Sequence, residues 1–180
     1  MRTAVLLVDV INSCSFEGGE ALARNAQATV EPIVELCRRA RAADVPVIYA
    51  NDNYGRWTDT FAEIVERCRE DDCPGRDIAR ALAPQDGDHF ILKPKHSAFY
   101  LTSLDALLRQ LGTERLVICG YAGDLCVLFT ANAAHMREYE IAVPEDAIAS
   151  EESEVNDAVL RMLRDRLSAD TRPAAEVEFR

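Results

Sequence analysis

The sequence predicts an α/β fold in which a mainly parallel sheet of five to six strands is covered by helices on both faces. Three observations carry this. Short apolar runs rich in Val, Leu and Ile alternate with longer stretches of helical periodicity along the chain, the order that builds parallel sheets with right-handed crossovers. The runs are continuously apolar rather than apolar at every second residue, which marks strands buried on both faces. The 180 residues contain no internal repeat, linker or low-complexity stretch and suit one domain spanning 1–180, long enough to bury a core without covalent staples.

Thr3-Ala4-Val5-Leu6-Leu7-Val8 is the first strand and ends at Asp9. Residues 21–43 carry Val30, Ile33, Val34, Cys37 and Ala40 at helical spacing and predict one helix. Residues 45–50 form a second strand, followed by a loop over 51–55 rich in turn residues. A helix over 58–68 is broken by Pro74-Gly75, and Phe90-Ile91-Leu92 centres a third strand over 88–93. Thr102 can cap a helix that runs through Leu104, Leu107, Leu108 and Leu111 to Gly112. The fourth strand, 116–119, ends at Gly120 and gives way to a helix over 124–137; the fifth is 140–143. Residues 150–167 form a last amphipathic helix, and 176–179 read either as a short edge strand or as a tail. Ligands in such folds gather outside the carboxyl ends of the strands. That directs attention to Asp9, Asn51, Asp52, Lys93, the 120–126 turn and Asp146.

Apolar residues make up 48 % of the chain, which excludes a disordered protein. The net charge of −11 is spread over helix faces and loops. It argues against nucleic acid and anionic membrane as partners, since both need a basic footprint. The first apolar run is too short for a signal peptide and ends in an acid, and no stretch nears the roughly 18 apolar residues of a membrane span. A cytoplasmic protein is expected, with Cys14, Cys37, Cys68, Cys73, Cys119 and Cys126 mostly reduced. No CxxC pair supports a zinc ribbon or a thioredoxin-type motif.

Three reactive groups close strands: Asp9, Lys93 and, after the fourth, Cys126. In a parallel sheet their strand ends can converge on one crevice. Cys126 follows Gly120-Tyr121-Ala122-Gly123-Asp124-Leu125, and two glycines at a strand-to-helix turn allow tight backbone geometry. A thiol in the first helical turn faces unpaired N–H groups and the positive end of the dipole, which favour thiolate. A catalytic cysteine needs a base or a cation. His89 opens a strand and His135 lies late in a helix, so neither faces the crevice, whereas His96 lies near the end of the third strand and stays open. Asp9 fits the role of base if burial raises its pKa. Lys93 would steady negative charge, with Lys95 a rival at nearly the same spot. There is no GxxxxGK loop, GxGxxG fingerprint or GxSxG elbow. No metal site is expected, because Asp52 has no histidine within five residues, and no cofactor is expected either.

Over residues 3 to about 149 the chain resembles the isochorismatase-like cysteine hydrolases, the superfamily that includes nicotinamidases and N-carbamoylsarcosine amidohydrolases. Three motifs carry the resemblance. The first is Leu6-Leu7-Val8-Asp9-Val10-Ile11-Asn12 with Phe16-Glu17-Gly18-Gly19. The second is Lys93-Pro94-Lys95-His96-Ser97-Ala98-Phe99 with Thr102 and Leu104, and the third is the 120–127 turn with Thr130 and Ala131. The resemblance implies a three-layer αβα sandwich and an Asp9–Lys93–Cys126 triad, and so selects Lys93 over Lys95. It implies a cis peptide between Tyr121 and Ala122, an oxyanion held by the N–H groups of Ala122 and Cys126, and assembly into a homodimer or homotetramer. There are departures. Ile11 stands where the family usually has Gln, Ser13-Cys14 where it has Asp-Phe, Gly123 where it has Thr, and Tyr121 where it has Val. Nicotinamidases share an Asp-and-His metal cluster after the second strand that is missing from residues 51–57, and true isochorismatases lack the cysteine. Both activities are therefore disfavoured.

The expected chemistry is acyl transfer on a small-molecule amide or ureido group, with Tyr54, Trp57, Tyr121 and Phe129 as pocket-lining candidates and Asp52 and Arg56 available to a charged substrate. Two alternatives stand beside it: a non-catalytic binding protein on the same fold, motivated by Gly123 and Ile11, and a redox sensor in which Cys119 resolves Cys126.

Overall fold

The computed structural model describes residues 1–70 and 72–179. Thirteen strands and α-helices follow in order: β1 (Thr3–Val8), α1 (Gly19–Ala26), α2 (Val30–Ala42), β2 (Val47–Asp52), α3 (Phe61–Cys68), α4 (Arg76–Ala81), β3 (His89–Lys93), α5 (Leu104–Leu111), β4 (Arg115–Tyr121), α6 (Leu128–His135), β5 (Glu140–Ala142), β6 (Ile148–Ala149) and α7 (Ser153–Leu167). The sheet runs β3-β2-β1-β4-β5, with β6 beside β4, and every pairing is parallel.

Strand parity sorts the core into two layers. Val5 and Leu7 of β1 and Val117, Cys119 and Tyr121 of β4 face one side, against Ile33 and Leu36 of α2 and Ile64 of α3. Ala4, Leu6 and Val8, with Leu116 and Ile118, face the other, against Leu104 and Leu108 of α5, Ala131 of α6 and Leu163 of α7. Every residue of β1 and β4 is buried, as expected for uninterrupted apolar strands covered on both faces. Three layers result, with a parallel sheet in the middle.

Register brings the strand ends together. Val8 pairs with Ala50 on one side and Gly120 on the other, and Asp52 pairs with Lys93. Asp9, Asp52, Lys93 and the turn after β4 therefore open onto the same edge. Gly120 has φ +118°, and a Cβ there would lie 2.0 Å from Val8 O. Only glycine lets β4 pass this close to β1.

Several boundaries differ from the sequence expectation. The long first helix is two, joined by a 3₁₀ turn at Gln27–Thr29. Pro32 has no N–H to offer Ala28, so the helix restarts at Val30, with the proline in its first turn. The 58–68 helix begins at Phe61, where Thr60 and Glu63 form a capping box. Asn51 and Asp52 end β2 rather than open a loop. Pro74-Gly75 is followed by a short helix, α4, that apolar periodicity missed. Ser103, not Thr102, occupies the N-cap position of α5, although Thr102 Oγ1 accepts from Leu104 N–H at 3.2 Å. The 124–137 helix opens as a π-helical turn at Gly123–Val127. The last helix starts at Ser153, and two-residue β6 was too short to read. Residues 176–179 add no strand. Arg39 holds this segment through Val177 O at 2.8 Å, with its guanidinium over the Phe179 ring.

Candidate active site

Asp9 sits one residue beyond β1 with φ +51°. Its place is fixed by the turn that follows. Asn51 donates to Ile11 O at 2.7 Å and accepts from Ile11 N–H at 3.3 Å, and the Tyr54 hydroxyl donates to the same carbonyl at 3.0 Å. Asp9 Oδ1 accepts from Asp52 N–H at 2.6 Å, and Oδ2 lies 2.8 Å from Lys93 Nζ. Lys93 is completely buried at the end of β3. Its ammonium also lies 3.7 Å from Asp52 Oδ2, donates to Lys95 O at 3.2 Å, and stands 3.5 Å from Cys126 Sγ. The Asp9 charge acts on the thiol as well, raising it. On its outer side it faces His96 Nδ1 at 3.9 Å. Lys93 and Lys95 are the chain's only lysines; the other basic side chains, histidine aside, are arginines.

The three inner groups shift one another. Burial, and then the neighbouring Asp9 charge, push the Cys126 thiol up to about 12, with Lys93 pulling the other way. Burial also lifts the Asp9 carboxyl above its usual range, against the pull of Lys93. Burial works against the Lys93 ammonium, but the Asp9 and Cys126 charges outweigh it and hold its proton on more tightly than usual. Against the expectation that the helix start favours thiolate, burial works toward the thiol. Its proton has a carboxylate beside it to go to.

The turn before Cys126 is built from backbone. The Tyr121–Ala122 peptide is cis. Ala122 O accepts from Leu125 N–H at 3.2 Å and Val127 N–H at 3.1 Å. Ala122 N–H donates to no acceptor among the described residues. Asp124 N–H goes to Ser150 Oγ at 3.2 Å, and that hydroxyl lies 3.1 Å from Asn156 Oδ1. A Cβ on Gly123 would stand 2.3 Å from Asn156 Oδ1 and 3.0 Å from Ser150 Oγ. Ser150 and Asn156 thus fill the space a threonine would need, and Ser150 supplies a hydroxyl at the turn. Neither residue was legible beforehand, because both reach the turn only through β6 and α7.

The structure does not gather the pocket candidates into one cleft. Tyr121 faces the opposite layer, buried, with its hydroxyl 2.7 Å from Thr29 Oγ1, so it lines no pocket here. Tyr54 borders a cleft with Ser13, Phe16, Arg67 and Cys73. Trp57, 79 % exposed, borders a separate space of about 730 Å³ with Asp52, Arg56, Lys95 and Tyr100. Phe129 lies in a third, between α6 and α7, and alone of these touches the outer side of the site, its ring centroid 5.9 Å from that of His96. Asp146 serves the fold, accepting from Ala174 N–H at 2.7 Å. Cys119 and Cys126 belong to opposite layers of the core, which removes the geometric basis for their pairing.

A sequence profile of the isochorismatase domain matches residues 3–173. The chain belongs to the isochorismatase family. An isochorismatase-family protein of Bacillus subtilis, YaaI, is 44 % identical over 167 residues, 93 % of this chain and 91 % of YaaI. The ureidoacrylate amidohydrolase RutB of Azorhizobium caulinodans is 30 % identical over 172 residues, 81 % of this chain and 75 % of RutB. The fold is similar to that of N-carbamoylsarcosine amidase from Thermoplasma acidophilum, with a TM-score of 0.75 and 27 % identity over 99 % of this chain and all of that one. The nicotinamidase SaPncA of Staphylococcus aureus shares the fold at a TM-score of 0.74 and 22 % identity, over 96 % and 98 % of the two chains. This isochorismatase-family chain is an enzyme of the hydrolase class, with amidohydrolases among its homologues. Among the described residues no helix is long and apolar enough to cross a membrane.

Proposed function

We propose that this isochorismatase-family chain hydrolyses a C–N bond, amide or ureido, of a small molecule through a thioester on Cys126. The observation that carries the reading is the convergence of a thiol, a buried ammonium and a buried carboxylate: Cys126 Sγ 3.5 Å from Lys93 Nζ, and Lys93 Nζ 2.8 Å from Asp9 Oδ2. Two relatives are named for ureidoacrylate and N-carbamoylsarcosine, which supports the C–N bond and the small substrate.

Asp9 takes the thiol proton as Sγ bonds to the substrate carbonyl carbon. The carbonyl π electrons move onto oxygen, which the N–H groups of Ala122 and Cys126 stabilise. Collapse breaks the C–N bond, and the leaving nitrogen takes the proton from Asp9. Lys93 offsets the charge on Asp9 while the proton is away from it and on Sγ during attack. Water then releases the acid and restores the thiol. A preformed set of charges in a water-poor site acts without reorganising, which is the usual source of large rate effects.

The test is Cys126→Ala, which should abolish hydrolysis of primary amides and ureido acids while leaving the far-UV spectrum unchanged. Wild-type protein quenched during turnover should carry an acyl group on Cys126 by peptide mass spectrometry. Undiminished activity in Cys126→Ala would sink the reading. A non-catalytic binding protein is the second reading, and one observation favours it: Cys126 is buried, as Cys37 in the core is. It predicts tight ligand binding with no acyl-cysteine at any time.

A further inference from the structure

Lys93 faces two carboxylates, and the proposed reaction uses only one of them. Asp9 Oδ2 lies 2.8 Å from Nζ, and Asp52 Oδ2 lies 3.7 Å from it. Among the described residues no third carboxylate pairs with this ammonium. The other groups that face it are Lys95 O at 3.2 Å and Cys126 Sγ at 3.5 Å, with His96 beyond the sulfur.

The reaction asks different things of the two carboxylates. Asp9 takes a proton from the thiol during acylation. It takes one from water during release, because water then occupies the place of the leaving nitrogen. Each time Asp9 becomes neutral, and the ammonium loses its nearer anion. Lys93 is completely buried, and a buried ammonium with no carboxylate beside it is driven toward the neutral amine. That is the moment at which charge on the sulfur and on the carbonyl oxygen needs a cation. Asp52 takes no proton in either half. Its side chain is 31 % exposed, so water as well as Lys93 supports its charge.

The fold fixes this second carboxylate. Asp52 and Lys93 are register partners across β2 and β3. Asp52 Oδ1 accepts from Tyr54 N–H at 2.6 Å, while Oδ2 is the oxygen nearest the ammonium. The Asp52 N–H holds Asp9 Oδ1 at 2.6 Å. One residue thus steadies the base through its backbone and the cation through its side chain. Changing the side chain alone separates the two.

We infer that Asp52 is a positioning residue, the standing counter-ion that keeps Lys93 charged while Asp9 carries the proton. Its place in the cycle rests on the thioester reading; its hold on Lys93 does not. With only Lys93 and Lys95 in the chain, isotope-labelled lysine gives two side-chain NMR signals, and exposed Lys95 serves as the reference. Asp9→Asn stands in for the carboxyl with its proton on, and there Lys93 should still be an ammonium at neutral pH. Adding Asp52→Asn should lower the Lys93 midpoint by about one unit or more, with Lys95 unmoved. Asparagine keeps an acceptor for Tyr54 N–H and nearly the same volume, so circular dichroism should match the wild type. Equal Lys93 midpoints with and without the Asp52 carboxylate would overturn the assignment, as would a neutral Lys93 in Asp9→Asn.

Asp52→Asn alone supplies the kinetic arm, and it decides if the double variant does not fold. It should lower kcat on primary amides or ureido acids by about tenfold, the rate equivalent of one unit, with KM within about twofold. Undiminished kcat, or a loss confined to KM, would overturn the assignment as well. A wild type that neither hydrolyses these substrates nor forms acyl-Cys126 would sink the thioester reading instead. The lysine titration would then still decide for or against Asp52.

Discussion

Cys119 and Cys126 lie seven residues apart, on either side of one turn, and both are buried. Burial raises both thiols, that of Cys119 well above its usual value and that of Cys126 to about 12. Their surroundings differ. Cys119 is packed among Val117, Tyr121 and Cys37 on one layer of the core, while Cys126 stands over the Lys93–Asp9 pair and under His96 on the other. Burial alone therefore does not distinguish the two cysteines; what does is that a carboxylate and a cation stand beside one of them. The parity of β4 and the turn from Gly120 to Gly123 separate the two environments. One chain segment thus serves a packed interior and a polar crevice.

The largest expected effect tests this contrast directly. Cys126→Ala should lower kcat by about four orders of magnitude or more, the scale seen when a nucleophile is removed. Cys119→Ala should leave kcat within about twofold and cost roughly 1 kcal/mol of stability, measured by urea unfolding. Comparable kcat losses in the two variants would break the comparison. The next effect concerns the charges beneath the sulfur. Lys93→Met strands a buried carboxylate, so it should cost about 3–5 kcal/mol as well as activity. Asp9→Asn combined with Lys93→Met should recover much of the stability and none of the turnover, because the pair costs more when half-removed than when replaced. If the double variant is as unstable as Lys93→Met, the ion pair is not what holds the strand ends.

How much of this was legible follows from where each residue lies. Asp9, Lys93 and the Cys126 turn each close a strand, and the carboxyl-edge rule for parallel sheets depends only on reading strands in order. Those strands were continuous apolar runs and were readable. Tyr121 was misjudged, yet β4 parity carried the answer: it shares its face with Val117 and Cys119, away from the crevice. The break at Gln27–Thr29 had its signal in Pro32. Other features had no local signal. Ser150 and Asn156 meet Gly123 across the molecule. The raised thiol of Cys126 depends on how deeply the turn packs, which no spacing encodes.

Alkaline pH offers a milder probe, and it acts on both thiols alike. Cys14, Cys37 and Cys126 are raised to about 12 and Cys68 to about 11, all chiefly by burial, from the value near 9 of an unfolded thiol. Above pH 9 the unfolded chain loses these protons first, so it binds fewer protons than the native state and stability falls as pH rises. The stabilisation is complete below about pH 9 and is lost up to the folded values. At pH 10 each thiol contributes about 1 kcal/mol less than at pH 8, a few kcal/mol together. Urea midpoints at pH 8 and pH 10 should differ accordingly, and Cys37→Ala should narrow the gap. A gap unchanged in Cys37→Ala would show that other groups, not the packed thiols, govern the alkaline limb.

The smallest effect lies in the turn between the two cysteines. Gly123→Thr introduces a Cβ 2.3 Å from Asn156 Oδ1 and 3.0 Å from Ser150 Oγ. It should cost about 1–3 kcal/mol as overpacking and lower kcat by displacing the N–H groups beside Cys126. The amide of Asn156 is the far end of a side chain on α7, so the clash has an obvious release. Asn156→Ala added to Gly123→Thr should restore most of the stability. It should also let the new hydroxyl take over the Asp124 N–H that Ser150 Oγ now accepts at 3.2 Å. A double variant as unstable as Gly123→Thr alone would place the strain in the backbone of the turn rather than in side-chain volume. In that case Gly123 would be required for its conformation, as Gly120 is, and Asn156 would be a bystander.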